Sequence, residues 1–297
     1  MKTYLVCIVL LVLPFHLVAD EPKPWNVRDH IPLEKITVQA HRGAGVLAPE
    51  NSLEAFGIAW NLKVIPEADI RMTSDGVIVS FHDENFTRIL PTASDEMKKK
   101  GIKDLTYAEV VKLDIGAWKG REFEGQRIPC LREIVDVLMK HSERRIYVDI
   151  KNVDFDQMAK ETQGVHRQMI LASTKYDEIK RWKEVAPESF TLHWMGGTEV
   201  NLKERLAELE KNRFRHIDQL QIHVRVNQDG AFEPGKAFLK QTGEKLREYN
   251  ILFQVLPWEC KETDTYKRLM DLGVASFATD YPDVTMQAIC QYYDEMR

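Results

Sequence analysis

The stretch VIPEADIRMTSDGVIVSFHD, residues 64–83, decides the fold. Residues 64–70 and 77–81 both read as strands, and Asp75-Gly76 between them is a turn signal. A parallel crossover needs a dozen or more residues, so the second run must return antiparallel to the first. Side chains two apart on a strand share a face, which puts Glu67 and Asp69 together. With the hairpin standing above a barrel mouth, its return leg carries His82-Asp83 back toward those two carboxylates.

Outward from this hairpin the chain alternates strand-like and helix-like runs. Further strands are expected at 36–40, 145–150, 169–172, 191–194, 220–224, 252–256 and 275–278. Helices fit most of the gaps, at 53–61, 131–140, 176–185, 202–211, 235–249, 264–272 and 284–293. Eight strands with interposed helices predict an α/β fold, a closed (β/α)8 TIM barrel, rather than an open doubly wound sheet. No Gly-rich nucleotide loop accompanies any strand. Asn51, with Glu54 three residues later, is expected to cap the first helix.

Polar clusters sit at the ends of these strands: His41-Arg42-Gly43, Glu67-x-Asp69, His82-Asp83 and Asp149-x-Lys151. A carboxylate facing a barrel interior must be paired or coordinated. The oxygen donors Glu67, Asp69 and Asp149 suit one divalent cation, Mg²⁺ or Ca²⁺, over a soft metal. Asp149 and Lys151 alternatively form an interior ion pair. His41 and His82 at one mouth supply a proton acceptor and a proton donor. Arg42 and Lys151 suit a phosphate, as a fork and a point charge; the other reading of Arg42 is a salt bridge to Glu50. Gly43 and Gly45 allow the backbone close approach to a ligand. Trp258 offers an aromatic face or packs, and His193, Trp194 and His223 are left unassigned.

The first nineteen residues read as an export signal, with Lys2, an apolar run over 4–13 and small residues approaching Ala19. The run is short for a bilayer span and is followed by Pro14 and His16, so no stable membrane span is expected, and the protein is exported to the periplasm or the extracellular space. A formal charge of only -5 on 297 residues argues against a nucleic-acid partner. Cys130, Cys260 and Cys290 remain beyond the signal, an odd number that argues against a disulfide framework. Lys98-Lys99-Lys100 reads as a solvated loop.

In order along the chain stand His41-Arg42-Gly43, Pro49-Glu50-Asn51 with Ala55-Phe56, Glu67-x-Asp69, Thr73, Asp75-Gly76 and His82-Asp83. Leu105-Thr106, Asp114-x-Gly116-x-Trp118, Ile128-Pro129, Asp149-x-Lys151, Trp258, Gly273 and Thr279-Asp280-x-Pro282 follow. This series resembles the glycerophosphodiester phosphodiesterases, a family related to phosphatidylinositol phospholipase C-like phosphodiesterases. The resemblance implies one barrel domain over 20–297, with a family-type insertion near 84–128 over the active-site mouth. It implies a divalent ion on Glu67, Asp69 and Asp149, catalytic His41 and His82, and substrate contacts from Arg42, Lys151 and Trp258. Implied substrates are glycerophosphodiesters such as glycerophosphocholine or glycerophosphoethanolamine, cleaved to glycerol 3-phosphate and an alcohol through a cyclic phosphate. The alternatives are a sphingomyelinase D-like lyase and a non-catalytic phosphodiester-binding protein. Three departures stand out: Asp149 replaces the family's usual glutamate, Glu259-Cys260-Lys261 follows Trp258 in place of Thr-Val-Asn, and 86–90 lacks the usual threonine pair after its arginine.

Overall fold

The computed structural model describes residues 25–294, so the expected signal at 1–19 lies outside the described residues. Its strands are β1 (Thr37–Ala40), β2 (Ile65–Met72), β3 (Ile78–Ser80), β4 (Ile146–Asn152) and β5 (Met169–Ser173). They continue with β6 (Phe190–Met195), β7 (Gln219–Val226), β8 (Phe232–Glu233), β9 (Leu252–Pro257) and β10 (Ser276–Thr279). All but β3 and β8 pair in parallel, and β1 bonds both β10 and β2, which closes an eight-stranded barrel. No helix among the described residues is long and apolar enough to cross a membrane.

Helices line the outside because each is apolar along one face. Helix Leu131–Lys140 buries Leu131, Ile134, Val135 and Leu138, the i, i+3, i+4, i+7 stripe. Glu133 accepts the Cys130 N–H at 2.9 Å and fixes the start of that helix. Each fully buried Leu or Ile side chain contributes roughly 1.5–3 kcal/mol, so the stripe, not helix propensity, holds the element in place. The helix Phe155–Glu161 between β4 and β5 escaped the sequence reading. It is only 7 residues long, too short for a periodic signal, and its single cue is Asp154 accepting the Gln157 N–H at 2.7 Å.

The barrel interior is more polar than a standard apolar filling. Tyr147 donates to Gln219 at 2.7 Å, Gln221 to Gln254 at 2.7 Å, and Gln254 to Ser276 at 2.9 Å. These buried groups bond one another, which removes the penalty of desolvating them.

The hairpin forms as its spacing dictates. β2 and β3 pair antiparallel with Ile70 opposite Ser80, and Phe81 N–H donates to the Asp69 carbonyl at 2.7 Å. Between β3 and helix Leu131–Lys140 the chain builds short turns of helix on an apolar cluster that includes Val79, Phe81, Phe86, Ile89 and Ile102. Lys98 and Lys99, expected in a loop, close the short helix Asp95–Lys99, where their charges suit a helix C-terminus. Cys130, Cys260 and Cys290 are free thiols.

Candidate active site

Every site residue expected from the sequence lines one cavity of about 190 Å³ at the carboxyl ends of the barrel strands. These are His41, Arg42, Glu67, Asp69, His82, Asp149, Lys151 and Trp258. Parallel pairing sets Asp69 of β2 directly beside Asp149 of β4. Glu67, Asp69 and Asp149 each offer an oxygen, and the three oxygens lie within 4.8 Å of one another although all three residues are buried. The shorter side chain at 149 therefore still reaches the cluster.

Charge compensation around this trio is incomplete. Lys151 Nζ sits 2.6 Å from Asp149 and 3.0 Å from Asp69, so the interior ion pair also exists, and Lys151 bridges two of the three carboxylates. Burial, opposed by Lys151 and reinforced by Glu67 and Asp69, pushes Asp149 up to about 7. Burial also raises Glu67, against the pull of His41. Asp69 goes the other way: burial is outweighed by Lys151, His82 and its bond from Asn51. Three buried carboxylates, two of them held up, are the donor set and charge that a hard divalent cation fits.

Asn51 corrects an expectation. The cap of helix Leu53–Asn61 is Ser52, whose oxygen accepts the Ala55 N–H at 3.1 Å. Asn51, at φ 55, is buried beside β2, donates to Asp69 Oδ2 at 2.9 Å and accepts the Asp69 N–H at 2.8 Å and the Ser80 hydroxyl at 2.6 Å. Asparagine tolerates this left-handed backbone, and its amide supplies both a donor and an acceptor. Replacing Asn51 with alanine should weaken divalent-cation affinity by roughly 10–100-fold, because Asp69 loses the group that orients it. Calorimetric titration with Mg²⁺ and Ca²⁺ measures this, and unchanged affinity would deny Asn51 that role.

The two histidines are each backed by an aspartate. His41 Nδ1 lies 2.6 Å from Asp280 Oδ1, and its Nε2 is 4.0 Å from Glu67. Burial alone would push the His41 imidazole down, but the Asp280 hydrogen bond and the charges of Glu67 and Asp280 raise it to about 9. His82 Nδ1 is 2.8 Å from Asp83, while its Nε2 faces Arg42 Nη2 at 3.0 Å. A guanidinium only donates, so His82 Nε2 accepts and the ring carries its proton on Nδ1. His41 is thus set as a donor and His82 as an acceptor.

Arg42 sits at φ 50, and its N–H donates to Glu67 at 3.0 Å. Its side chain also makes the contact with Glu50 read as the alternative, at 3.3 Å, and Arg88 grips Glu50 with two bonds of 2.7 Å. At Gly43 and Gly45 the missing Cβ makes room for neighbouring parts of the chain. A Cβ on Gly43 would stand 2.8 Å from the Ala55 Cβ, and one on Gly45 would collide with the Asp280 carbonyl. Gly43 lets the His41 loop pack on helix Leu53–Asn61, and Gly45 lets it press against Asp280, the partner of His41.

Sequence reasoning left three site residues without a role. Trp194 and His223 line the cavity and stack at 5.0 Å, and Trp258 meets His223 edge-on at 5.2 Å. Asp280 stood inside a quoted motif, but its pairing across 239 positions with His41 carries no local signal. His193 is buried with Nδ1 unpartnered and is absent from the cavity lining.

A barrel mouth that combines a carboxylate cluster short of positive charge, two aspartate-backed imidazoles and two cations belongs to the hydrolases of phosphate esters. Within that class the chain belongs to the glycerophosphoryl diester phosphodiesterase family, whose model matches residues 41–284. It is a phosphoric diester hydrolase. It is 25% identical over 274 residues to a glycerophosphodiester phosphodiesterase from Caldanaerobacter subterraneus, covering 86% of this chain and 98% of the relative. Its fold is similar to that of a glycerophosphodiester phosphodiesterase from Agrobacterium tumefaciens C58, with TM-score 0.65, 20% identity and coverage of 85% of this chain and 99% of that one. It is also similar to an Oleispira antarctica phosphodiesterase solved with its product sn-glycerol-3-phosphate, with TM-score 0.64, 22% identity and coverage of 86% and 96%.

Proposed function

We propose that this protein hydrolyses glycerophosphodiesters such as glycerophosphocholine or glycerophosphoethanolamine to glycerol 3-phosphate and an alcohol, with one divalent cation and through a cyclic phosphate. The observation that carries the reading is the buried trio Glu67, Asp69 and Asp149, which lines one cavity with His41 and His82, each histidine paired with an aspartate, Asp280 and Asp83. Mg²⁺ or Ca²⁺ bound by the three carboxylates supplies charge stabilisation at the phosphoryl oxygens.

The residues of the chain do the rest. Arg42 and Lys151 bind the phosphate. When Arg42 turns to it, His82 Nε2 is released and takes the proton of the neighbouring glycerol hydroxyl, whose oxygen attacks phosphorus. His41 donates its Nε2 proton to the departing alcohol oxygen, and Asp280 stabilises the charged ring before that transfer. In the second half water gives its proton to His41 and attacks phosphorus, while His82 returns its proton to the glycerol oxygen. Trp258, exposed at the rim, covers one side of the bound diester. Residues 84–128 serve as the family-type insertion over this mouth, and removal of 1–19 accompanies export to the periplasm or the extracellular space.

Phosphorus NMR of glycerophosphocholine incubated with the protein tests the chemistry. Glycerol 3-phosphate should accumulate with added Mg²⁺ or Ca²⁺ and cease with EDTA. Cyclic phosphate as the sole lasting product would replace hydrolysis by the lyase reaction, and EDTA-resistant turnover would remove the metal.

A further inference from the structure

A second cavity, of about 240 Å³, opens beside the catalytic one and shares Lys151 with it. Arg71, Glu84, Lys103 and Asn152 line it. Arg71 spends Nε and Nη2 on the His82 carbonyl, at 3.1 and 2.6 Å, and makes no ion pair among the described residues. Lys103 is exposed and makes no hydrogen bond or ion pair among the described residues. It nevertheless stands on a fixed base. The turn Ile102–Asp104 is anchored by buried Ile102, by Asp104 accepting the Gly101 N–H at 2.9 Å, and by Leu105 accepting the Ser74 N–H at 2.9 Å.

Arg71 and Lys103 therefore line, with Glu84, a space contiguous with the phosphate site; neither makes an ion pair among the described residues, and the charges of Asp69, Glu84, Asp83 and Asp149 act on Arg71 from farther off. Trp194, His223 and Trp258 line the catalytic cavity but not this second one, and form an aromatic surface on which burial pushes the His223 imidazole down. A diester lying across the mouth must send one alcohol toward each side. We propose that the Arg71–Lys103–Glu84 cavity is the head-group subsite and that it selects an alcohol carrying a carboxylate beside an ammonium, as serine does. The carboxylate pairs with Arg71 and Lys103, and the ammonium with Glu84. A trimethylammonium head group meets the same two cations with nothing to offer them, and ethanolamine satisfies Glu84 alone. The assignment rests on the proposed diester hydrolysis.

Steady-state kinetics with the serine, ethanolamine and choline glycerophosphodiesters at one Mg²⁺ concentration and low salt test it. The serine diester should have a kcat/KM about fivefold to tenfold above the other two, the scale of a part-exposed charge pair. Lys103→Glu should erase that advantage and leave choline turnover unchanged or faster, since Lys103 supports no structural bond. Equal kcat/KM on all three substrates, or equal losses on all three in Lys103→Glu, would overturn the subsite while leaving diester hydrolysis intact. If no diester is turned over, hydrolysis itself fails. Calorimetric binding of O-phosphoserine against phosphocholine then decides the subsite, with equal affinities overturning it.

Discussion

Glu67→Gln is expected to lower kcat by roughly a thousandfold while leaving the fold intact, because it removes one of the three charges proposed to hold the cation but keeps an amide oxygen to accept the Arg42 N–H. The stability of the metal-free protein should move the opposite way. Burial raises Glu67, and Asp149 is held up to about 7, so these groups are less willing to ionise folded than unfolded. Between the ordinary carboxylate range and pH 7 the folded state binds more protons, and stability falls as pH rises through that window. A bound divalent cation cancels the cost, so added Mg²⁺ or Ca²⁺ should raise the Tm by an increment that grows from pH 5 to pH 8. In Glu67→Gln the metal-free Tm should equal or exceed that of the parent, and the metal increment should shrink. Parental kcat in this variant, or a metal increment independent of pH, would remove Glu67 from the cation site.

The barrel and the trio were legible because both rest on local periodicity. Spacing of two put Glu67 with Asp69 and Asp149 with Lys151, and a six-residue connection forced the hairpin that returns His82 to Asp69. What stayed hidden depends on contacts between distant segments. Asn51 reads as a helix cap from its neighbours alone, yet its bonds run to Asp69 and Ser80, 18 and 29 positions away. Trp194 and His223 look like ordinary core residues until barrel closure brings β6 and β7 round to face β2. For the glycines of the His41 loop a sequence shows freedom of backbone but not what occupies the space beside it. Beside Gly43 that neighbour is Ala55, and beside Gly45 it is the carbonyl of Asp280.

That same contact makes His41 the second position of large effect. His41→Ala should cost roughly 10²–10⁴ in kcat, the contribution of a placed general acid, while the metal-induced rise in Tm persists. Asp280→Asn isolates the cause. In the parent the imidazole stays protonated up to about pH 9, since the Asp280 bond and the charges of Glu67 and Asp280 outweigh burial. Activity that needs the protonated ring is therefore present below pH 9 and lost above it. Removing the Asp280 charge withdraws the favourable part and leaves burial, so the alkaline limb of the kcat profile should move down toward the ordinary histidine range. At pH 8 the variant should be far slower than the parent, and the deficit should narrow as pH falls. A histidine NMR titration reads the same shift without turnover. An alkaline limb that stays near pH 9 in Asp280→Asn would mean that another group donates the proton. A uniform loss at every pH would reduce Asp280 to holding the ring in place, for only a change in ring basicity moves the limb.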